Sequence, residues 1–390
     1  MEENMNFSVS KKDFFDALQK VIGVVPPKTT ISILTCILLD LRNGKLSLTG
    51  TDLEISITTT LDVDGSEEGS VAIPAKILVE IVRELPDVPL NIYSDADNKV
   101  TIKTDKGEYK LATQPREDFP QISVEEGELA FQIKAELLGR MAEQTMFAVS
   151  TDELRPALTG INMELLPGEI RFVATDGHRL AKITVSNGML SDDVRRNLIV
   201  PTKTLHLLLR NLQEQAPVGI QIGEDHIVFT LERAVVYSKL ISGTYPNYER
   251  VLPKDNDKKL QINRELLIAS LRRVSIFSSS LTHQVRLMVS ADEMTIRSED
   301  LEFGAEAKET IPATFNGEWL QIGYNGTYLM DVLRHLEGEE VIFELKDATS
   351  AAILKPVEKK VDEEIIMLLM PIRINEAAPA TGTEYSYSAE

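Results

Sequence analysis

Asp176, His178 and Arg179 fall inside one heptapeptide, ATDGHRL at 174–180, the one segment of the chain whose side chains look suited to chemistry. A carboxylate and an imidazole two residues apart, in a glycine turn between two strands, could serve general acid–base work. The segment lacks a nucleophile, a second carboxylate at an interpretable distance and a phosphate cradle. A structural turn or a binding surface is the stronger reading, with an enzyme using Asp176 and His178 as the alternative. Elsewhere the sequence has no glycine-rich phosphate loop, no dinucleotide fingerprint, no nucleophile elbow and no paired-cysteine or HExxH metal spacing. His178, His206, His226, His283 and His335 are scattered, with no two at helical ligand spacing. The single cysteine, Cys36, sits in the largely apolar run 31–39 and reads as a buried structural thiol. No metal and no cofactor is expected.

The elements that carry these residues repeat. A short strand entering a helix occurs at the start, where Phe14, Phe15, Leu18, Val21 and Ile22 recur at helical spacing and Ser10 with Asp13 resembles a capping box. The same entry recurs over 130–141 and 260–274, a period near 125. A second helix appears once per unit, over 74–85, 201–214 and 325–337, each with one apolar stripe, and the first two open on proline in their first turn. Alternating segments over 46–60, 100–113, 169–185, 220–240, 294–308 and 341–354 read as strands. The pattern predicts an α+β fold of three similar units, each with two helices on mostly antiparallel sheet. Proline-bearing polar connections at 115–127 and 253–259 place the domains at 1–125, 126–255 and 256–374, and 375–390 is expected to be a disordered tail.

The 390 residues carry a formal net charge of −20, which argues against simple adhesion to nucleic acid, since that is driven by positive charge. The acidity is unevenly placed. The six helix spans, 10–22, 74–85, 134–149, 201–214, 263–276 and 325–337, hold 13 Lys+Arg against 10 Asp+Glu, a balance of +3, leaving −23 for the rest. A mildly positive helical layer in an acidic body would let DNA approach one surface; ordinary solvated helix faces would give the same margin. Hydrophobic residues at 43% and charged residues at 26% describe a folded chain. No apolar run approaches the roughly 20 residues of a membrane span, and the opening Glu2 and Glu3 are unlike a secretory signal, so a cytoplasmic location is expected.

Three stretches together, ATDGHRLA from Ala174, SGTYPNYERVLP at 242–253 and MPIRI at 370–374, resemble the bacterial beta clamps, the DNA polymerase III beta subunits, and the likeness runs over about 6–374. The resemblance implies a non-catalytic sliding clamp. In that family, three similar DNA-clamp domains per subunit close head to tail as a homodimer into a ring, with helices lining the hole. The ring encircles duplex DNA without sequence preference. It tethers the DNA polymerase III catalytic subunit, the clamp loader, other DNA polymerases and repair proteins through short linear motifs. A generic peptide-binding scaffold unconnected with DNA is a further alternative. Matched motif by motif, a hydrophobic partner pocket between the second and third domains takes Leu158, Thr175, Gly177, His178, Arg179, Leu180, Pro246, Arg250, Val251, Leu368, Met370, Pro371, Ile372 and Arg373. Duplex-facing positions fall on Lys28, Arg155 and Lys203, and by helix location on Arg140, Arg210, Arg272, Arg273 and Arg334. Ile276 and Phe277 resemble the apolar pair at the dimer seam. The chain departs from the family in continuing sixteen residues past Ile374 and in placing bulky Leu368 and Leu369 at the pocket floor.

Overall fold

The computed structural model describes residues 5–95, 99–121, 129–186, 190–191, 193–213 and 215–374; the expected tail at 375–390 lies outside them. Six α-helices form among the described residues, all directly at the end of a strand: α1 (Lys11–Ile22), α2 (Ala75–Glu84), α3 (Ala135–Met146), α4 (Thr202–Asn211), α5 (Arg264–Val274) and α6 (Gly326–His335). Helix α1 starts where the sequence signals it, with the Ser10 hydroxyl accepting from the Asp13 N–H at 3.0 Å. Asn263 and Asn325 cap α5 and α6 in the same way. Pro74 and Pro201 do not open the first turn, as the sequence suggested. They occupy the N-cap position and end the preceding strand, where a fixed φ is compatible with extended backbone and no N–H is required.

The chain folds as two compact bodies, residues 1–174 with 185–245, and residues 175–184 with 246–390. In the first, a five-stranded sheet runs in the order Asp64–Glu67, Asn6–Ser10, Pro89–Asp95, Lys99–Lys103, Glu108–Ala112. An eight-stranded sheet crosses from one repeat into the next through Ala234–Lys239 paired antiparallel with Ile55–Asp62. Helices α1 and α2 pack together, as do α3 and α4. Gly139 allows the second contact, since a Cβ there would lie 3.3 Å from a Leu212 methyl.

In the second body, α5 packs on α6. A four-stranded sheet runs Ala305–Pro312, Glu293–Asp300, Gln284–Val289, Leu320–Asn325. Strands Arg179–Ser186, Glu363–Leu369, Ala352–Pro356, Glu340–Leu345 and Lys258–Asn263 lie side by side in that order. Alternation decides what is buried: in Glu340–Leu345, Val341, Phe343 and Leu345 are at most 1% exposed while their neighbours face out. Cys36 is fully buried, and burial raises its thiol pKa, as expected of a structural cysteine.

Candidate functional site

The ATDGHRL turn is a locked loop. Gly177 has φ +92°, a left-handed conformation that favours glycine. The Thr175 hydroxyl donates to the Arg179 carbonyl at 2.6 Å and accepts from the Gly177 N–H at 3.1 Å. One Asp176 oxygen accepts from the N–H groups of His178 (2.8 Å) and Arg179 (3.0 Å), and the other takes Arg179 Nε at 3.1 Å. Both carboxylate oxygens are therefore committed to holding the turn. The pairing of Asp176 with His178 as an acid–base couple is overturned on this geometry: the carboxylate serves the backbone and the guanidinium, and the imidazole stacks on Tyr328, ring centroids 6.1 Å apart.

Arg179 ties the turn to α6. Its guanidinium lies 4.5 Å over the Tyr328 ring and reaches Asp331 at 2.6 Å. With 10% of its side chain exposed, it is shielded enough for these bonds to be strong. The C-terminal segment completes the arrangement. The Met370 N–H donates to the His178 carbonyl at 2.9 Å, and the Ile372 N–H donates to the Gly323 carbonyl at 2.7 Å. Thr175, Gly177, His178, Arg179, Met370 and Ile372 are thus assembled within one body. Tyr328, Asp331 and Gly323 join them without any signal in the sequence: the Arg179 contacts to Tyr328 and Asp331 span more than 140 positions of chain, Gly323 meets Ile372 from 49 positions away, and α6 reads only as an amphipathic helix.

The other nominated residues divide by accessibility. Gly177, His178, Pro246, Arg250, Val251, Met370 and Arg373 are exposed, and Pro371 is half-buried. Leu180 and Leu368 are 1% and 3% exposed, with Leu368 paired to Ile353 inside the sheet. Leu158 belongs to the first body, buried in a short 3-10 helix, Pro156–Thr159. The segment containing Pro246, Arg250 and Val251 is anchored by buried Tyr248 and by Lys182 to Glu249 at 3.6 Å.

Among the nominated cations, Lys28 is exposed in the loop after α1, and Arg210, Arg272 and Arg334 are exposed on helices. Lys203, in the first turn of α4, is ion-paired with Asp52, Arg155 with Asp152 at 2.8 Å, and Arg273 with Glu309 at 2.6 Å. Arg140 is half-buried on α3. Ile276 and Phe277, in the short 3-10 helix after α5, are 77% and 38% exposed. Among the described residues there is no group of His, Cys, Asp and Glu that could hold a metal, and no helix long and apolar enough to cross a membrane.

Three family models match the chain in succession between residues 5 and 373. The N-terminal domain of the DNA polymerase III beta subunit matches residues 5–123, the central domain 132–247 and the C-terminal domain 249–373. Tandem helix-on-sheet repeats thus define a three-domain clamp. The chain belongs to the DNA polymerase III beta subunit family, the beta sliding clamps, and is a non-catalytic subunit. The beta sliding clamp of Pseudomonas aeruginosa is 35% identical over 373 residues, covering 95% of this chain and 100% of that protein. That of Escherichia coli is 32% identical over 372 residues, with the same coverage. The structure of the Pseudomonas aeruginosa DnaN sliding clamp bound to griselimycin superposes with a TM-score of 0.91 at 33% identity, covering 95% of this chain and 100% of that one. The Bacillus subtilis DNA polymerase sliding clamp gives 0.91 at 29%, with the same coverage. The enzyme and the DNA-independent scaffold are thereby both set aside as readings of this chain.

Proposed function

We propose that two copies of this chain close head to tail into a ring around duplex DNA, and that the ring slides while tethering replication and repair proteins. The observation that carries the reading is the match of three successive clamp domains over 95% of the chain to proteins of known clamp identity. The domains are taken as 1–125, 126–255 and 256–374, and the protein as cytoplasmic. Two features favour closure by a second copy. Ile276 and Phe277 present apolar surface that water does not favour. Strands Glu108–Ala112 and Ala305–Pro312 each end a sheet with one edge unpaired among the described residues, the kind of edge another strand can extend.

Lys28, Arg155, Lys203, Arg140, Arg210, Arg272, Arg273 and Arg334 are the proposed duplex-facing groups. Topological retention requires only a weak field from them, because the ring cannot leave a circle whatever the local affinity. Partner motifs are proposed to bind at the ATDGHRL turn and the Met370–Arg373 segment, with Pro246, Arg250 and Val251 beside them and Leu158, Leu180 and Leu368 as apolar contributors. Polymerases, the clamp loader and repair proteins would share this surface, and tethering would raise their effective concentration at the DNA.

The test is retention on nicked circular plasmid after loading by a clamp loader with ATP, followed by linearisation. Protein that stays on circles at high salt and runs off when they are cut is topologically bound. Salt-sensitive retention indifferent to cutting, with a loader that accepts the protein, would overturn the ring.

A further inference from the structure

Two of the proposed duplex-facing cations are held by aspartates that the fold has itself fixed in place. Asp52 sits in the turn between strands Lys45–Thr51 and Ile55–Asp62, where one carboxylate oxygen accepts from the N–H groups of Glu54 (3.1 Å) and Ile55 (2.7 Å). The next residue, Leu53, takes φ +79°, a conformation that a branched side chain adopts only when the surroundings impose it. The second oxygen of Asp52 is left pointing at Lys203, and the pair is unequal: the aspartate side chain is 17% exposed and the lysine 50%. Asp152 repeats the device. Its N–H donates to the Ser150 hydroxyl (3.1 Å), one oxygen accepts from the Leu154 N–H (3.0 Å), and the other takes Arg155 Nε at 2.8 Å. Arg155 is 53% exposed, and its guanidinium holds the Asp152 carboxyl below its usual pKa.

We propose that Asp52 and Asp152 act as fixed counter-charges that limit how firmly the clamp grips DNA, by competing with phosphate for Lys203 and Arg155. The inference rests on the reading that these two cations face the duplex. In each pair the carboxylate is anchored by backbone and the cation is about half exposed, so a passing phosphate takes the cation only by displacing a carboxylate already in place. Exposed ion pairs are weak enough for that exchange to be rapid. An unopposed lysine or arginine would instead release counterions on each phosphate it met, and the salt dependence of DNA contact would steepen by about 0.9 per cation. Asp52 and Asp152 are positioning residues in this account, acting through the cations.

Asparagine separates charge from structure, since its side-chain oxygen accepts the same backbone N–H groups that keep each turn. The experiment follows the diffusion of labelled full-length protein, loaded on nicked circular DNA, from 50 to 200 mM salt. Compared are the unsubstituted chain, Asp52→Asn, Asp152→Asn, their combination, Lys203→Ala, Arg155→Ala, and Asp52→Asn with Lys203→Ala. The combined asparagine variant is expected to diffuse roughly two- to five-fold more slowly at 50 mM, with the difference closing as salt screens the freed cations. Adding Lys203→Ala to Asp52→Asn should return its mobility to that of the unsubstituted chain. If the asparagine variants diffuse normally while Lys203→Ala and Arg155→Ala alter mobility, the cations touch DNA but the carboxylates do not restrain them, and the proposal fails. If no substitution changes mobility, the duplex-facing assignment of Lys203 and Arg155 fails with it.

Discussion

At the scale of the residue, the proposed partner surface depends on two positions with little tolerance. Gly323 accepts the Ile372 N–H, and a Cβ added there would lie 2.8 Å from the Ile372 carbonyl oxygen and 3.0 Å from an Ile374 methylene. Backbone cannot retreat as a flexible side chain would, so Gly323→Ala should displace the C-terminal segment while leaving the buried strand around it formed. The expected result is a loss of about tenfold in affinity for a clamp-binding peptide with an unchanged far-ultraviolet spectrum. Undiminished binding in a fluorescence titration would separate Ile372 from the partner surface. Arg179 is the second such position. Removing its guanidinium leaves Asp176 and Asp331 without their shared cation, and loss of a mostly buried partner costs about 2–4 kcal/mol. Arg179→Lys should recover little of this, since an ammonium cannot reproduce two carboxylate contacts and a ring face together. Hydrogen exchange across strand Arg179–Ser186 would report the loss. The glycine turn was legible in its local residues, and the MPIRI ending only through its resemblance to the clamp family. Tyr328, Asp331 and Gly323 were not, because their roles arise from packing between segments distant along the chain.

At the scale of the element, the helices were legible to within a few residues, since each carries a 3.6-residue apolar stripe and several carry a capping side chain. The strands were legible as alternating stretches but ran together: the segment 220–240 holds three strands, Pro217–Ile222, His226–Thr230 and Ala234–Lys239. Strand Asp64–Glu67 has no alternation because all four residues are exposed. Strand pairing between the first and second repeats has no local signature. A finer repeat lies in the turns, where Asp52, Asp176 and Asp300 stand 124 residues apart, and each carboxylate accepts from backbone N–H groups two and three residues on. The same turn thus serves different uses, holding Lys203 in the first repeat and Arg179 in the second. A further turn yields a pH prediction. Asp347 accepts from the Thr349 N–H and hydroxyl at 2.8 Å each, and from Ser350. These bonds favour its ionised form and lower its pKa from 3.8 to about 2. With the folded value depressed, the turn's contribution is fully present above about pH 4 and is lost as pH falls through about 2. The Thr349 and Ser350 amide resonances should therefore titrate with a midpoint of about 2; a midpoint at 3.8 would show the carboxylate free of them.

At the scale of the whole molecule, a net charge of −20 and a function on DNA are reconciled by topology. On the proposed reading the acidic chain would repel duplex in the open, whereas a closed ring around DNA would need no strong attraction to it. What closes the ring then becomes the decisive energy. Ile276 and Phe277 are the exposed apolar pair nominated for that seam, and burying side chains of this kind stabilises by roughly 1.5–3 kcal/mol each. Truncating both to alanine should weaken the dimer by about 2–4 kcal/mol, or on the order of a hundredfold in Kd. The substitutions are made on exposed side chains of a short 3-10 helix, so the monomer fold should survive them. Sedimentation at low concentration is expected to show the double variant as a monomer of 43.5 kDa where the unsubstituted chain is dimeric. The same variant should lose retention on circular DNA while still binding a partner peptide, because the proposed peptide surface lies within one chain. A dimer of unchanged mass would move the seam elsewhere, whereas a monomer that still stays on circles would mean that retention is not topological.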